Sequence, residues 1–500
     1  MADNILLPNE ESLDPDTWEE YRKTGHQMVD DMLSFLRDVR RQPVWTKPPE
    51  TVKAFLNQDL PTGERPQAEV YQDFLTHILP FRKGNIHPGY FSWVEGTGTF
   101  SGALSDFLAS SMNSNLGIGD HSAVYVEQQT LNWCKQIVGY PGSSSGVFTS
   151  GGSIANLNAL IVARNSYKNG ITRKQGLKNT DGQLVVYCST ETHNCIFKAV
   201  ETIGIGSDFL RKIPVDDNFE INIISLQDQI NADKKMGLVP FCIVGNAGTV
   251  NTGAIDPLST LADICRKENM WFHVDGCIGG LLYILPEYHE ILKAMTEADS
   301  IAFDLHKWLY INYGVGCVLI RNGELSHKAF VQNANYLAAH ERGLASGPES
   351  FSNHGLELSR EFRSLKVWMS LQEHGIEKFG RLIRQNIAQA SYMGKRITRT
   401  AGLELLTPVC LNIVCFRFNP FDIEDVELNI LNKEILMRLQ EQGIAAPSYT
   451  IIRNRYAIRM SITNHRTVNA DLEAVLENTV RLGKQILYEN QKDKAAAVAL

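Results

Sequence analysis

The sequence gives its clearest indication of a fold in the stretch Ser300-Ile301-Ala302-Phe303-Asp304-Leu305-His306-Lys307-Trp308. Its apolar start predicts a buried strand, and the run from Leu309 to Tyr313 after it is mostly apolar as well. Lys307 is therefore expected to be buried. Because burial disfavours a charged ammonium and lowers its pKa, an unpaired lysine there is predicted to be neutral and nucleophilic toward aldehydes. The alternative is a lysine whose ammonium reaches solvent from the end of the strand.

Other short apolar runs flank this stretch and alternate with helical segments. They span residues 184–188, 241–244, 270–275 and 316–320. Continuous apolar strands separated by helices are typical of an α/β fold with a mainly parallel central sheet covered on both faces. In such sheets functional residues cluster where strands end. His193, Asp275 and Lys307 follow or close three of the strands and are the candidates.

A glycine-rich turn lies before these apolar runs in the sequence. Residues 146–149 are β-like, residues 150–153 read Ser-Gly-Gly-Ser, and an alanine- and leucine-rich helix follows. Glycine permits close backbone approach, and free N–H groups at a helix start attract anions. Gly152 and Ser153 are thus candidates for binding a phosphate, although an ordinary turn uses the same residue types. The turn lacks the lysine of a Walker loop and does not match GxGxxG.

These candidates match the parts that a pyridoxal phosphate enzyme needs. Lys307 can bond to the cofactor aldehyde, Asp275 can hold the proton of the pyridine nitrogen, and His193 can stack on the ring. Gly152 and Ser153 can hold the phosphate. Each has a bland alternative: Asp275 as a helix cap, His193 as a core histidine, and the glycines as a turn. Their occurrence together at strand ends of one sheet favours the cofactor site.

Composition excludes several other classes of protein. Lys+Arg 48 against Asp+Glu 56 gives a net charge of −8, without the basic stripe that nucleic-acid binding requires. No run of about 18 apolar residues is present, so a membrane protein is not expected. The 9 cysteines are scattered without a CxxC pair, which indicates reduced core thiols and no metal site. A cytoplasmic protein without an export signal is predicted.

The length indicates two or three domains. Residues 1–100 are predicted to form an N-terminal helical and extended dimerisation segment, with an amphipathic helix over 14–40 and an extended arm over 44–66 that lies on a partner subunit. The large cofactor-binding domain spans 101–385. A small C-terminal α+β domain spans 386–500. We also predict a mobile loop from Asn333 to Gly355, a helix over 359–374, and strands at 412–418 and 456–462.

Four blocks resemble the group II pyridoxal-phosphate-dependent amino-acid decarboxylases, and most closely the aromatic-L-amino-acid decarboxylases. They are Thr192-His193-Asn194, His273-Val274-Asp275-Gly276, the residues from Phe303 to Trp308, and those from Phe362 to Trp368. The resemblance implies fold type I and a homodimer with active sites at the subunit interface. It also implies that Lys307 bonds to the cofactor aldehyde, Asp275 pairs with the ring nitrogen and His193 stacks over the ring.

The resemblance implies further roles. Gly152, Ser153 and His306 correspond to phosphate-binding positions, and Asn246 to a polar residue near the cofactor oxygen. Tyr336 corresponds to a loop tyrosine that donates a proton after CO2 leaves, and it can act on the neighbouring subunit's site.

The sequence departs from that family around the substrate. Residues 115–121 read Asn-Leu-Gly-Ile-Gly-Asp-His where aromatic decarboxylases carry bulky aromatics, which indicates a wider, more polar pocket. Asp304 stands where asparagine is common, and Ser359 stands where plant relatives distinguish phenolic from indolic substrates. The candidate substrate-pocket residues are Trp93, Gly96, Gly117, Asp120, His121 and Ser359.

The predicted reaction is decarboxylation of an L-amino acid, preferably aromatic such as Dopa, tyrosine or tryptophan, to its amine and CO2. One alternative is a non-aromatic substrate of the histidine or methionine type, and another is oxidative deamination to an aldehyde. Aldehyde-forming relatives carry phenylalanine at the loop position, so Tyr336 argues against that reaction. The sequence resembles the transaminases less than it resembles the decarboxylases. A non-catalytic scaffold would be expected to lose Lys307 or Asp275, and both are present.

Overall fold

The computed structural model describes residues 12–15, 17–332 and 340–498. Contacts divide the chain into two compact units, Met1–Gly84 and Asn85–Leu500. The division into three domains at residues 100 and 385 stays a prediction. Among the helices in the described ranges, none is both long enough and apolar enough to span a membrane.

Within its described residues, the first unit contains the α-helices α1 (Trp18–Arg37), α2 (Glu50–Phe55) and α3 (Gln67–Asp73). Helix α1 lies within the predicted span 14–40. No residue of α1 is buried, and Trp18 is 67% exposed. The extended arm with short turns predicted over 44–66 is wrong at α2, which is helical over Glu50–Phe55. Proline interrupts a helix that precedes it in the chain, but it does not prevent a new helix from starting directly after it. Helix α2 starts directly after Pro49.

The second unit contains two sheets. Its strands are β1 (Tyr90–Phe91), β2 (Ser145–Thr149), β3 (Leu184–Ser189), β4 (Leu210–Ile213), β5 (Val239–Asn246), β6 (Trp271–Asp275), β7 (Ser300–Asp304), β8 (Gly316–Ile320), β9 (Leu403–Leu405), β10 (Ile413–Phe418), β11 (Ala446–Ile452) and β12 (Arg455–Ser461). The larger sheet has the order β2-β8-β7-β6-β5-β3-β4, and the smaller has the order β1-β11-β12-β10-β9.

The larger sheet confirms the predicted α/β architecture. Strands β7, β6, β5, β3 and β4 are parallel to one another, and β8 runs antiparallel between β7 and β2. Strands β3, β7 and β8 are buried along their whole length, as their mostly apolar sequences require. All five predicted apolar runs form strands. Strand β4 was not predicted, because its sequence Leu-Arg-Lys-Ile carries two charges.

Helices surround both sheets. They are α4 (Phe100–Met112), α5 (Ser122–Ile137), α6 (Gly152–Ser166), α7 (Ile171–Gln175), α8 (Asn194–Thr202), α9 (Ile223–Lys235), α10 (Leu258–Glu268), α11 (His289–Leu292), α12 (Leu305–Trp308), α13 (Gly323–Phe330), α14 (Ser364–Arg399), α15 (Asp425–Glu441) and α16 (Asn469–Val498). The smaller sheet contains the two strands predicted at 412–418 and 456–462, as β10 and β12.

The helix predicted over 359–374 begins later than expected. Helix α14 starts at Ser364 and continues to Arg399, with a break at Gly375, where φ is 68°. Two arginines hold the segment before Ser364 in an irregular conformation. Arg360 forms a buried ion pair with Glu127, and Arg363 pairs with Glu357 at 2.9 Å. The prediction of a start at residue 359 used only the helical spacing of the apolar side chains. The two ion pairs hold these residues outside the helix in spite of that spacing.

Candidate active site

The carboxyl ends of three neighbouring strands meet at one edge of the larger sheet. β5 ends at Asn246, β6 at Asp275 and β7 at Asp304, and Asn246 is in register with Asp275. A cavity of about 440 Å³ lies at this edge. We call it the inner cavity. Its lining includes Trp93, Glu95, Gly151, Gly152, Ser153, His193, Asn246, Asp275, Cys277, Asp304, His306, Lys307 and Tyr313. The volume is within the range of small-molecule sites.

Lys307 lies on the short helix α12 with its side chain 21% exposed. Its Nζ is 2.8 Å from Asp304 Oδ2. Burial disfavours the ammonium, but the charge and hydrogen bond of Asp304, with the charges of Cys277 and Asp275, together outweigh burial and raise the pKa of Lys307 above its ordinary value. The expectation of a neutral, unpaired lysine is therefore wrong for the free chain. Asp304 is only three residues away and supplies the counter-charge that the apolar neighbours do not.

The glycine turn provides an anion-binding helix terminus. Helix α6 starts at Gly152, and Gly151 is its N-cap. A Cβ atom on Gly152 would lie 2.4 Å from Cys277 Sγ and 2.6 Å from Asp304 Oδ2, so a larger residue does not fit. Gly152 and Ser153 both line the inner cavity, at a helix start of the kind that attracts anions. Their binding of a phosphate stays a prediction.

His306 adjoins this turn. It is buried, its Nδ1 accepts the Val315 amide at 3.3 Å, and its ring lies 4.8 Å from the Tyr313 ring. Because Nδ1 is an acceptor, the neutral ring carries its proton on Nε2. Burial lowers the pKa of His306 below its ordinary value, so the neutral form prevails at pH 7. The side chain can therefore donate one hydrogen bond to an anion at the glycine turn.

Asp275 and His193 face the same cavity from adjacent elements. Asp275 is 6% exposed, and its Oδ1 accepts the Cys277 amide at 3.1 Å. His193 caps α8, with Nδ1 accepting the Cys195 amide at 3.2 Å, and the residue is exposed toward the cavity. Burial lowers the pKa of the His193 imidazole. Neither bland alternative holds, because Ile278 and not Asp275 is the N-cap of the next helical turn, and His193 is not buried in a core. The two backbone contacts fix these side chains at the cavity wall.

Two buried hydrogen-bond networks support this wall. Asn246 Nδ2 donates to Asp256 Oδ2 at 2.7 Å and to Thr192 Oγ1 at 2.9 Å. On β6, the ring nitrogens of His273 lie 2.9 Å from Ser300 Oγ and 2.7 Å from Asn156 Oδ1. Because Asn156 belongs to α6, the second network joins the helix of the glycine turn to the strand that ends in Asp275.

The candidate substrate residues separate into two places. Trp93 lines the inner cavity, and Gly96 lies against the backbone of α12, where a Cβ would be 1.7 Å from the His306 carbonyl oxygen. The other four candidates do not line that cavity: Gly117, Asp120, His121 and Ser359. They belong to residues 115–121 and 344–359, which we call the outer loops. Tyr336 lies outside the described residues.

The outer loops form their own contacts. Asp120 Oδ1 accepts the Tyr125 hydroxyl at 2.7 Å, and the Asp120 amide donates to the Leu344 carbonyl at 2.9 Å. Gly117 is pressed against the Leu358 carbonyl, and His121 Nε2 lies 3.3 Å from the Asn115 carbonyl oxygen. Ser359 is exposed.

Sequence reasoning missed several residues of the inner cavity, including Cys277, Tyr313 and Glu95. Cys277 follows Asp275 by two positions, Tyr313 follows Lys307 by six, and Glu95 precedes Gly96. Glu95 Oε2 accepts the Tyr90 hydroxyl at 2.8 Å. Closeness in sequence to a predicted site residue is the signal that could have found them. Across the described ranges, no group of three or more His, Cys, Asp or Glu residues could hold a metal ion.

A paired lysine, a carboxylate, an imidazole and a helix terminus around one cavity define a pyridoxal-phosphate-binding enzyme. The profile of the pyridoxal-dependent decarboxylase conserved domain matches residues 49–419. An aromatic-L-amino-acid decarboxylase of Bacillus atrophaeus is 33% identical over 476 residues, which cover 94% of this chain and 96% of that protein. A phenylacetaldehyde synthase of Petunia hybrida is 28% identical, covering 90% of this chain and 91% of that one. The chain belongs to the pyridoxal-dependent decarboxylase family.

Solved structures show the same fold. The Catharanthus roseus tryptophan decarboxylase in complex with L-tryptophan superimposes with a TM-score of 0.84 at 26% identity, over 95% of this chain and 100% of that chain. The Oryza sativa TDC with PLP and tryptamine gives a TM-score of 0.87 at 24% identity. This likeness confirms the predicted fold type I.

The protein is thus a pyridoxal-phosphate-dependent amino-acid decarboxylase, and the inner cavity fits that cofactor. The start of α6 leaves no room for a Cβ at Gly152, and Lys307, Asp275 and His193 line the same cavity. When bound, pyridoxal phosphate supplies an aldehyde for the amino group and a ring that accepts the electron pair left by CO2.

Proposed function

We propose that this enzyme decarboxylates an aromatic L-amino acid at the inner cavity. The observation that carries the proposal is the meeting of Lys307, Asp275, His193 and the glycine turn around one cavity. The aromatic side chain is supported by relatives named for aromatic amino acids, tryptophan and tyrosine, including the tyrosine decarboxylase 2 of Narcissus pseudonarcissus at 28% identity.

Each residue has a proposed task. Lys307 would hold the cofactor through its aldehyde, and Asp275 would keep the ring nitrogen protonated. His193 would lie against the ring as a neutral imidazole, since desolvation holds its pKa below the ordinary value. The start of α6 at Gly152 and Ser153, with the N–H of His306, would hold the phosphate. Asn246 is fixed by Asp256 near the cofactor oxygen.

We also propose a homodimer with active sites at the subunit interface. Large apolar side chains are exposed on both units of the single chain, including Trp18 on α1 and, on α4, Phe107 and Met112. Exposed apolar surface of this kind marks interaction sites. A second copy would cover it and bring outer loops toward the cavity of its neighbour. The 9 free cysteines fit a reducing compartment, which supports a cytoplasmic location.

Mixed dimers test the shared site. Lys307→Ala and Tyr336→Phe chains, each inactive alone, are unfolded together and refolded. If Tyr336 serves the neighbouring site, every mixed dimer regains one complete site, and about one quarter of wild-type activity returns on random pairing. Activity that stays at the level of the separate variants would contradict a tyrosine shared across the interface.

A substrate screen tests the function. Purified enzyme with its cofactor is offered Dopa, tyrosine, tryptophan, phenylalanine, histidine and methionine, and CO2 and amine are measured. We expect the highest kcat/KM for an aromatic substrate, with CO2 and amine in equal amounts. Turnover of histidine or methionine alone would refute the aromatic assignment, and aldehyde with ammonia in place of amine would favour the aldehyde-forming reaction.

A further inference from the structure

Part of the inner cavity wall has no proposed task toward the cofactor. Its members Trp93, Val94, Glu95 and Tyr313 come from the segment before α4 and the segment after α12. We call these four residues the side wall. Three of them are aromatic or apolar, and Glu95 brings a carboxyl group. The side wall therefore combines flat apolar surface with one strong hydrogen-bond acceptor.

The backbone of the side wall is held in an uncommon conformation. Trp93 has φ 49°, in the left-handed region that bulky side chains rarely adopt, and it is 57% exposed. The buried Arg459 donates to the Trp93 carbonyl oxygen at 2.8 Å, and Ser448 Oγ accepts the Trp93 amide at 3.2 Å. Backbone strain of this kind is concentrated at binding and active sites. The conformation thus indicates a segment held for the side chains that it presents to the cavity.

The carboxylate of Glu95 is oriented by a neighbouring phenol. Glu95 is half-buried, and its Oε2 accepts the hydroxyl of the buried Tyr90 at 2.8 Å. Burial and the charge of Glu95 raise the pKa of Tyr90 and of Tyr313, so both hydroxyls keep their protons. A carboxylate can accept about four hydrogen bonds through its two oxygens. The bond from Tyr90 thus fixes the direction of Glu95 without exhausting its capacity as an acceptor.

The side wall lies beside the lysine. A Cβ on Gly96 would be 1.7 Å from the His306 carbonyl oxygen and 3.0 Å from that of Lys307, so the chain at residues 95–96 packs on α12. The Tyr313 ring lies 4.8 Å from the His306 ring. A substrate whose amine reaches the aldehyde held by Lys307 therefore begins its side chain next to the side wall. In this respect the inference rests on the proposed function.

We propose that Glu95 determines specificity for aromatic substrates that carry a hydrogen-bond donor on the ring. Trp93, Val94 and Tyr313 offer surface to the ring, and the Glu95 carboxylate accepts a phenol O–H or an indole N–H. Phenylalanine brings no donor, so it displaces water from Glu95 without replacing the hydrogen bond of that water. A side chain with its own carboxylate is repelled as a like charge. The choice among rings that carry a donor is left to the outer loops.

The test compares tyrosine with phenylalanine, which differ by one hydroxyl. The kcat/KM for each is measured on full-length enzyme with its cofactor, in the wild type, Glu95→Ala and Glu95→Gln. We expect the wild type to prefer tyrosine by about 10- to 100-fold, the usual range for a hydrogen bond to a charged group. Glu95→Ala should remove most of this preference, and Glu95→Gln, which keeps an acceptor oxygen, should retain part of it. Both substrates meet the same protein, so a loss of folded enzyme does not change the ratio.

Glu473→Ala is the matched control, because Glu473 also accepts a tyrosine hydroxyl, that of Tyr392, and does not line the inner cavity. It should keep the wild-type preference. A wild-type ratio near one, or an unchanged ratio in Glu95→Ala, would overturn the inference. Glu95→Leu replaces Glu95→Ala if the latter does not fold. If no aromatic acid releases CO2, the proposed function fails and the inference fails with it, whereas CO2 release with a ratio independent of Glu95 refutes only the inference.

Discussion

The inner cavity and the outer loops differ in how their side chains are held. In the inner cavity, Asp275 and Asp304 end buried parallel strands, and the neighbouring networks through Asn246 and His273 are also buried. In the outer loops, contacts such as Asp120 with Tyr125 are exposed. The rigid strand ends can fix the geometry of a common reaction, whereas exposed loops can vary without disturbing it. We therefore propose that the inner cavity carries out the reaction and that the outer loops select the substrate.

Replacing the lysine should have the largest effect. Lys307→Ala is expected to abolish turnover and the visible cofactor band, because no other amine at the cavity can form the bond. Amine formation and absorbance are measured on the same preparation. Lys366→Ala is the matched control, since Lys366 is also buried and ion-paired, with Asp106 at 2.8 Å, and it does not line the cavity. Lys307→Ala protein with normal activity would contradict the assignment.

Tyr336→Phe should have the next largest effect. The change keeps the ring and removes the acidic hydroxyl, so amine formation is expected to fall by about 10²-fold or more, the usual contribution of a general acid. The delayed proton transfer should allow oxygen to react, which would give aldehyde, ammonia and hydrogen peroxide. Amine at the wild-type rate without peroxide would show that another group, first His193, donates the proton.

Changes in the outer loops should be smaller and selective. Asp120→Ala is expected to alter KM or the ranking of substrates by up to about tenfold, or 1.4 kcal/mol, with the cofactor band unchanged. Asp217→Ala is the control, since Asp217 is exposed and pairs with Arg453 on another surface. A loss of the band in Asp120→Ala would mean that the loops also hold the cofactor, and the distinction between the two regions would fail.

The same contrast separates what the sequence could predict from what it could not. The apolar runs at 184–188 and 300–303 predicted the strands, because full burial leaves an uninterrupted apolar pattern. The ion pair of Lys307 was missed because a lysine's charge state depends on one nearby carboxylate and not on the apolar neighbours. Helix α14 was predicted to start too early, because the sequence does not show that Glu127, which is far away in the chain, binds Arg360.

A further expected effect concerns stability in acid. His273 is fully buried, and burial lowers its pKa to about 4. Between pH 6.5 and pH 4 the unfolded chain binds a proton that the folded chain does not, so stability falls as the pH falls, by about 1.4 kcal/mol per pH unit. Urea unfolding of wild type and His273→Gln at pH 7, 6 and 5 measures this slope. Equal slopes would show that His273 does not remain neutral.

The most direct test of the inner cavity is to locate the cofactor bond. Enzyme loaded with pyridoxal phosphate is reduced with borohydride, which makes the bond to the lysine permanent, and its peptides are identified by mass spectrometry. We predict one phosphopyridoxyl group per chain, on Lys307, and none on the buried Lys366. Modification of any other lysine, with Lys307 left unmodified, would contradict the account.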